Sequence, residues 1–87
     1  MINVNTTLIN LGKLIYHLRK NENLNQTELS NLINVSRLTI SKIEKGKSVN
    51  LETILNILKY FNLLDDFNTL IFDKIEIVKL SNFSLYE

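Results

Sequence analysis

The chain has 87 residues, 45% of them hydrophobic, with no proline, two glycines, no cysteine and a net charge of +1. That length supports one small core, and the lack of cysteine excludes a disulfide framework and a thiolate metal site, while His17 as the lone histidine removes the usual transition-metal clusters. The near-neutral total hides a split: residues 13–47 hold seven basic side chains against three acidic ones, a net of +4, and the remainder carries −3, so a polyanion partner and a plain solvated surface are the two readings of the basic half.

Scarce glycine and absent proline favour helices. In "TTLINLGKLIYHLRKN", Leu8, Leu11, Leu14, Ile15 and Leu18 recur at three- and four-residue steps, which predicts a first helix from Thr6 or Thr7 to about Asn21. Asn25 followed by Glu28 has capping-box spacing and opens a short second helix, about Gln26 to Ile33. Asn34 stands where that helix must stop, and asparagine tolerates the left-handed conformation of a tight turn. Ser36 caps a third helix running through Lys45, which Gly46 ends. On that helix Ile40 and Ile43 lie together, whereas Leu38, Ser41, Lys42 and Lys45 cluster opposite them with Arg37 at the edge. Asn50 caps a fourth helix whose Leu51, Ile54, Leu55, Leu58 and Phe61 predict a broad buried face. "LLDDFNTLIF" predicts a short fifth helix, with Asp65 and Asp66 at its positive end and Leu64, Phe67, Leu70 and Ile71 on its apolar side.

The tail "DKIEIVKLSNFSLYE" alternates: Ile75 and Ile77 with Glu76 and Val78, then Phe83 and Leu85 with Ser84 and Tyr86. That period predicts a strand, which needs a sheet partner such as the same segment of a second subunit. Continued helix from 64 to about 80 is the alternative. The division is therefore a domain over residues 1–72, with its helix-turn-helix unit at 25–45, and a tail over 73–87 for dimerisation or partner binding. The opening "MINVNTTLIN" has neither the basic start nor the cleavage site of a signal peptide, and no apolar run approaches a membrane span, so a cytoplasmic protein is expected.

Two short helices joined by a tight turn, the second with a polar outer face, have the geometry of a unit that lays one helix in the major groove of DNA. The ungapped stretch "LNQTELSNLINVSRLTISKIEKG", residues 24–46, resembles the helix-turn-helix of the phage repressor and Cro family, also called the Xre family. The resemblance rests on Gln26, Glu28-Leu29, Val35-Ser36, Ile40, Ile43 and the closing Glu44-x-Gly46, and extends over about residues 8–64. Two positions depart from the family pattern: Asn34 replaces the usual turn glycine and Ser30 a small alanine. The fold this implies is all-α, a five-helix phage-repressor-like domain with a short C-terminal extension.

The resemblance also implies roles, position by position. Gln26 matches a glutamine that binds phosphate from the start of the second helix. Arg37, Leu38, Ser41 and Lys42 match positions that face bases or adjacent phosphates, and are assigned to bases, with Ser36 and Thr39 reaching the DNA backbone. The chemistry fits, since arginine can bond guanine O6 and N7 together and leucine can pack on a thymine methyl. Lys45 and Lys47 follow as phosphate contacts. Arg19 and Glu44 match a structural ion pair between the first and third helices. Plainer roles suit the rest: Lys13, Lys20 and Lys59 as solubilising charges, His17 as an exposed polar residue, and Tyr16, Tyr60 and Tyr86 as core or interface residues. Asp65 and Asp66 are adjacent, so they point apart on a helix, and an enzyme is not expected.

The function implied is a transcriptional repressor without cofactor or metal, binding a near-palindrome in double-stranded DNA as a homodimer. The alternative is a DNA-binding antitoxin whose tail docks on a toxin such as a HipA-like kinase. A fold used purely for protein interaction is disfavoured by the basic face.

Overall fold

The structure, a computed structural model, describes the backbone of residues 1–86 and the side chains of residues 1–81. Five helices follow one another: α1 (Val4–Asn21), α2 (Gln26–Leu32), α3 (Arg37–Glu44), α4 (Leu51–Tyr60) and α5 (Leu64–Tyr86). Each of the first four begins at a side chain that accepts a backbone N–H of its first turn: Asn3, Asn25, Ser36 and Asn50. Asn25 and Glu28 complete the expected capping box. Because Asn3 supplies the first cap, α1 starts two or three residues earlier than its apolar stripe suggests.

The four connections share one mechanism. Asn23, Asn34, Gly46 and Asn62 each adopt a positive φ, between 58° and 79°, and the residue after each donates its N–H to a carbonyl five back in the preceding helix. Those bonds run from Leu24 to Arg19, Val35 to Ser30, Lys47 to Lys42 and Leu63 to Leu58, at 2.7 to 3.1 Å. This is the Schellman stop, in which one left-handed residue lets the chain turn while satisfying the last carbonyls. Asparagine fills three of the four positions, as the reading of Asn34 anticipated at one of them.

Ile15, Leu29, Ile40, Ile43 and Ile57 form the fully enclosed core, with Leu11, Leu24, Ile33, Val35, Ile54 and Phe61 packed around it. The buried face of α4 is turned slightly from the expected one: Ile57 is at its centre and Leu51 lies exposed. Tyr16 and Tyr60 are also exposed rather than in the core. The side chain of Tyr86 lies outside the described residues.

The strand predicted for the tail is not formed. Helix α5 runs unbroken from Leu64 to Tyr86, and no strand occurs among the described residues. The alternation at Ile75 and Ile77 is real, but Phe67, Leu70, Ile71, Ile75 and Val78 also satisfy the helical period. No glycine or proline stops the chain after Gly46. A helix satisfies its backbone groups within the segment, whereas a lone strand leaves them unpaired. The alternating side chains from Phe83 to Tyr86, and Glu87, lie outside the described ones. No helix of the described residues is long and apolar enough to cross a membrane.

Gly12 sets how closely α1 crosses α3. It is buried mid-helix, and a Cβ there would collide with the carbonyl oxygen of Ile43 and stand 3.1 Å from that of Glu44. Both obstacles are backbone, so neither can swing away. Gly12→Ala is therefore expected to destabilise the domain by about 1–3 kcal/mol, as overpacking does, although alanine favours an isolated helix by roughly 1 kcal/mol. Urea denaturation measures the sign, and a stabilised variant would refute the close crossing.

Candidate nucleic-acid interface

Arg19 and Glu44 form the ion pair that the sequence places between the first and third helices. Nε of Arg19 donates to Oε2 of Glu44 at 2.7 Å and Nη2 donates to Oε1 at 2.8 Å, while Nη1 donates to the carbonyl of Leu24 at 2.9 Å. Both side chains are more than nine-tenths enclosed. The hydrogen bond to Glu44 raises the Arg19 pKa above its ordinary value; burial opposes the rise and the Glu44 charge adds to it. A raised cation contributes stability below its unfolded pKa and loses it only as pH climbs past the folded one, so Arg19 stays charged at any working pH. The ring of Tyr16 lies 5.3 Å from the guanidinium carbon and adds a cation–π contact.

The network continues outward. Nε2 of Gln26 donates to Oε1 of Glu44 at 3.2 Å, and Nη1 of Arg37 donates to Oε1 of Gln26 at 3.3 Å. The inner pair is thus joined through the first residue of α2 to the first residue of α3. Sequence reasoning assigned Gln26 to phosphate and Arg37 to a base separately, and did not find this link. Only their fold-level proximity makes it visible.

On α3 the structure brings the candidate residues to one side. Arg37, Lys42 and Lys45 are exposed, Ser41 is half-buried, and Leu38 is 58% exposed, while Ile40 and Ile43 point into the core. Ser36 caps the helix: its hydroxyl accepts the Thr39 N–H at 3.1 Å and shares a 2.8 Å hydrogen bond with the Thr39 hydroxyl. Two hydroxyls have two protons and one is used between them, so the pair retains a donor for a further acceptor.

Lys47 occupies the position after Gly46 that an apolar residue fills in the other three stops, where Leu24, Val35 and Leu63 stand. It is exposed. The ion pairs among the described residues are Arg19–Glu44 and Lys79–Glu76, which leaves Arg37, Lys42, Lys45 and Lys47 with no carboxylate within salt-bridge distance. Glu28 is occupied by the Asn25 backbone. The outer face of α3 is accordingly cationic, without a local counter-charge.

Of the residues given plainer roles, the lysines and His17 lie at the surface, as do Tyr16 and Tyr60. Lys13, Lys20 and Lys59 are exposed, and His17 is exposed with its ring edge-on to Tyr16 at 5.3 Å. No group of three metal-binding side chains occurs among the described residues. A domain-family model with the description "Helix-turn-helix" matches residues 15–66. No curated protein and no solved structure matches the chain.

Removing one partner of an enclosed ion pair strands the other charge, at a cost of about 3–5 kcal/mol. Glu44→Gln keeps the shape and removes the charge, so a loss in that range is expected from urea denaturation. Arg19→Lys should also destabilise, because an ammonium cannot reproduce the two parallel hydrogen bonds. Wild-type stability in both variants would refute the role of the pair.

Proposed function

The chain belongs to the helix-turn-helix family of DNA-binding domains, of the Xre and phage repressor type, and from that premise we propose that it is a sequence-specific transcriptional repressor acting as a cytoplasmic homodimer. The observation that carries this reading is the outer face of α3, where Leu38 is exposed and Arg37 and Lys42, with Lys45 and Lys47 just past the helix, have no carboxylate partner among the described residues. Arg37, Leu38, Ser41 and Lys42 read base edges in the major groove. Gln26, Ser36, Thr39, Lys45 and Lys47 hold phosphates and fix the register of α3 on the duplex. Two copies on a near-palindrome bring their α3 helices one turn of DNA apart. No cofactor or catalytic group is assigned, because the work is recognition.

A second reading draws on the exposed apolar length of α5. In it the protein remains DNA-binding but serves as an antitoxin, with the segment after residue 72 docking on a toxin such as a HipA-like kinase.

Selection from random duplex DNA tests the first reading. An enriched palindrome that persists toward physiological salt is expected, whereas binding without sequence preference would overturn it. Within the site, Arg37→Ala should cost about 1–3 kcal/mol of affinity and relax preference at one base position. Lys47→Ala should instead weaken all sequences equally and lower the salt slope by about one ion. Titrations at several salt concentrations distinguish the two, and an exchange of these behaviours would reverse the assignments.

A further inference from the structure

Between α1, α4 and the start of α5 lies a groove of about 550 Å³, inside the roughly 300–1,000 Å³ range of small-molecule sites. Leu8, Leu11, Ile43, Ile54, Leu58 and Leu63 line it and are buried or half-buried, so its floor is hydrocarbon. The polar residues that line it, Thr7, Lys47, Ser48 and Asp66, are all exposed and stand at the rim. Several helices enclose this groove, whereas the apolar surface farther along α5, around Leu70 and Ile75, belongs to one helix alone.

Lys47 is the anomaly on that rim. A helix stop of this type gains from an apolar residue in its place, as Leu24, Val35 and Leu63 illustrate at the other three, and a residue that breaks a local rule marks a place where function is served. Its ammonium has no carboxylate within salt-bridge distance among the described residues, Asp66 included. Asp66 lies in the first turn of α5, where unpaired helix N–H groups offset its charge. Lys47 lies past Lys45, the C-cap of α3, beyond the reach of that helix end.

We propose that the groove binds a medium-chain fatty acid, with the hydrocarbon chain on the floor and the carboxylate on Lys47, and that this occupant withdraws Lys47 from DNA. The site itself stands without the DNA reading above; its effect on DNA rests on that reading, through the assignment of Lys47 to phosphate. A carboxylate accepts from the Lys47 ammonium and from the Ser48 hydroxyl beside it. The chain brings no polar atom to a floor of hydrocarbon side chains, whereas a peptide would bury amide groups there without partners. One ammonium does not hold carboxylate and phosphate together, so fatty acid and DNA each weaken the binding of the other by the same factor.

The test uses the full chain with decanoate below its micelle concentration. In amide NMR spectra, shifts should gather at the groove residues within 7–14, 47–54 and 63–67, and each methylene removed, down to octanoate, should weaken binding about three- to fourfold. Decanoate should bind roughly fivefold more tightly than decylamine, a margin that Lys47→Ala should abolish while decanol binds both proteins alike. Leu51→Asp alters an exposed wall position where an acid suits the start of α4. It should weaken decanoate roughly tenfold with helical circular dichroism retained. Shifts gathered at 70–79 instead, a preference for decylamine, or a margin kept in Lys47→Ala would each overturn the site. So would the absence of a saturable shift, which is also the result if a second copy or another protein chain fills the groove. DNA is scored separately: saturating decanoate should lower the wild-type salt slope by about one ion and leave Lys47→Ala unchanged. Groove binding with no effect on DNA overturns the competition and keeps the site, whereas a chain that selects no DNA sequence loses the repressor reading with the NMR result intact.

Discussion

Arg19 crosses from the first helix to the carboxylate that ends the third, and the arrangement of the side proposed to face DNA depends on that contact. The guanidinium makes two bonds to Glu44 and one to the Leu24 carbonyl, which ties α1, the turn before α2 and the end of α3 to a single planar group. Gln26 attaches to the same carboxylate, and Arg37 to Gln26. The outermost link in this series is a residue proposed to touch a base. Enclosing charge in a small protein is costly unless every polar atom finds a partner, and no enclosed side-chain nitrogen or oxygen among the described residues lacks one. Glu44 therefore does two things: it neutralises Arg19 inside and leaves the outer face of α3 with cations alone.

Apolar contact supplies the complementary constraint. Gly12 allows the backbones of α1 and α3 to approach until side chains no longer separate them, and Ile15, Ile40 and Ile43 close the space beside that crossing. The crossing and the ion pair act on the same two helices from different positions. Together they fix the orientation of α3, which a recognition surface requires, since a tilt of that helix would carry Arg37 and Lys42 apart from the bases they are proposed to read.

Much of this was legible in residue order because local rules determine it. Asn25 with Glu28, Ser36, Asn34 and Gly46 mark helix ends by hydrogen bonds made within a few residues, and the structure places those ends within one or two residues of expectation. The inward and outward sides of α3 follow from its period alone. Gly12 also carries a local signal, because a glycine inside a helical pattern costs stability and so implies a packing reason. The hydrogen bond between Gln26 and Arg37 and the displacement of Leu51 by Ile57 depend on how helices meet, which periodicity does not encode. The tail forms a helix where its alternation predicts a strand for a related reason. Its apolar residues fit both a two-residue and a helical period, and local pattern does not separate the two where nothing covers the segment.

The length of α3 has one more consequence. Bounded by Ser36 and by the stop at Gly46, it has eight helical residues and spans about 12 Å, the length of roughly three or four base-pair steps. A word of four letters in a four-letter alphabet has about 256 spellings, so any one of them recurs by chance every few hundred base pairs, far too often to mark a single place among the competing sites of a genome. Two such words at a fixed spacing recur about once in 65,000 positions. Under the proposed reading, the turn residue that ends the helix therefore also limits the information one chain can read, and a second chain raises that limit by squaring the number of distinguishable sites rather than doubling it.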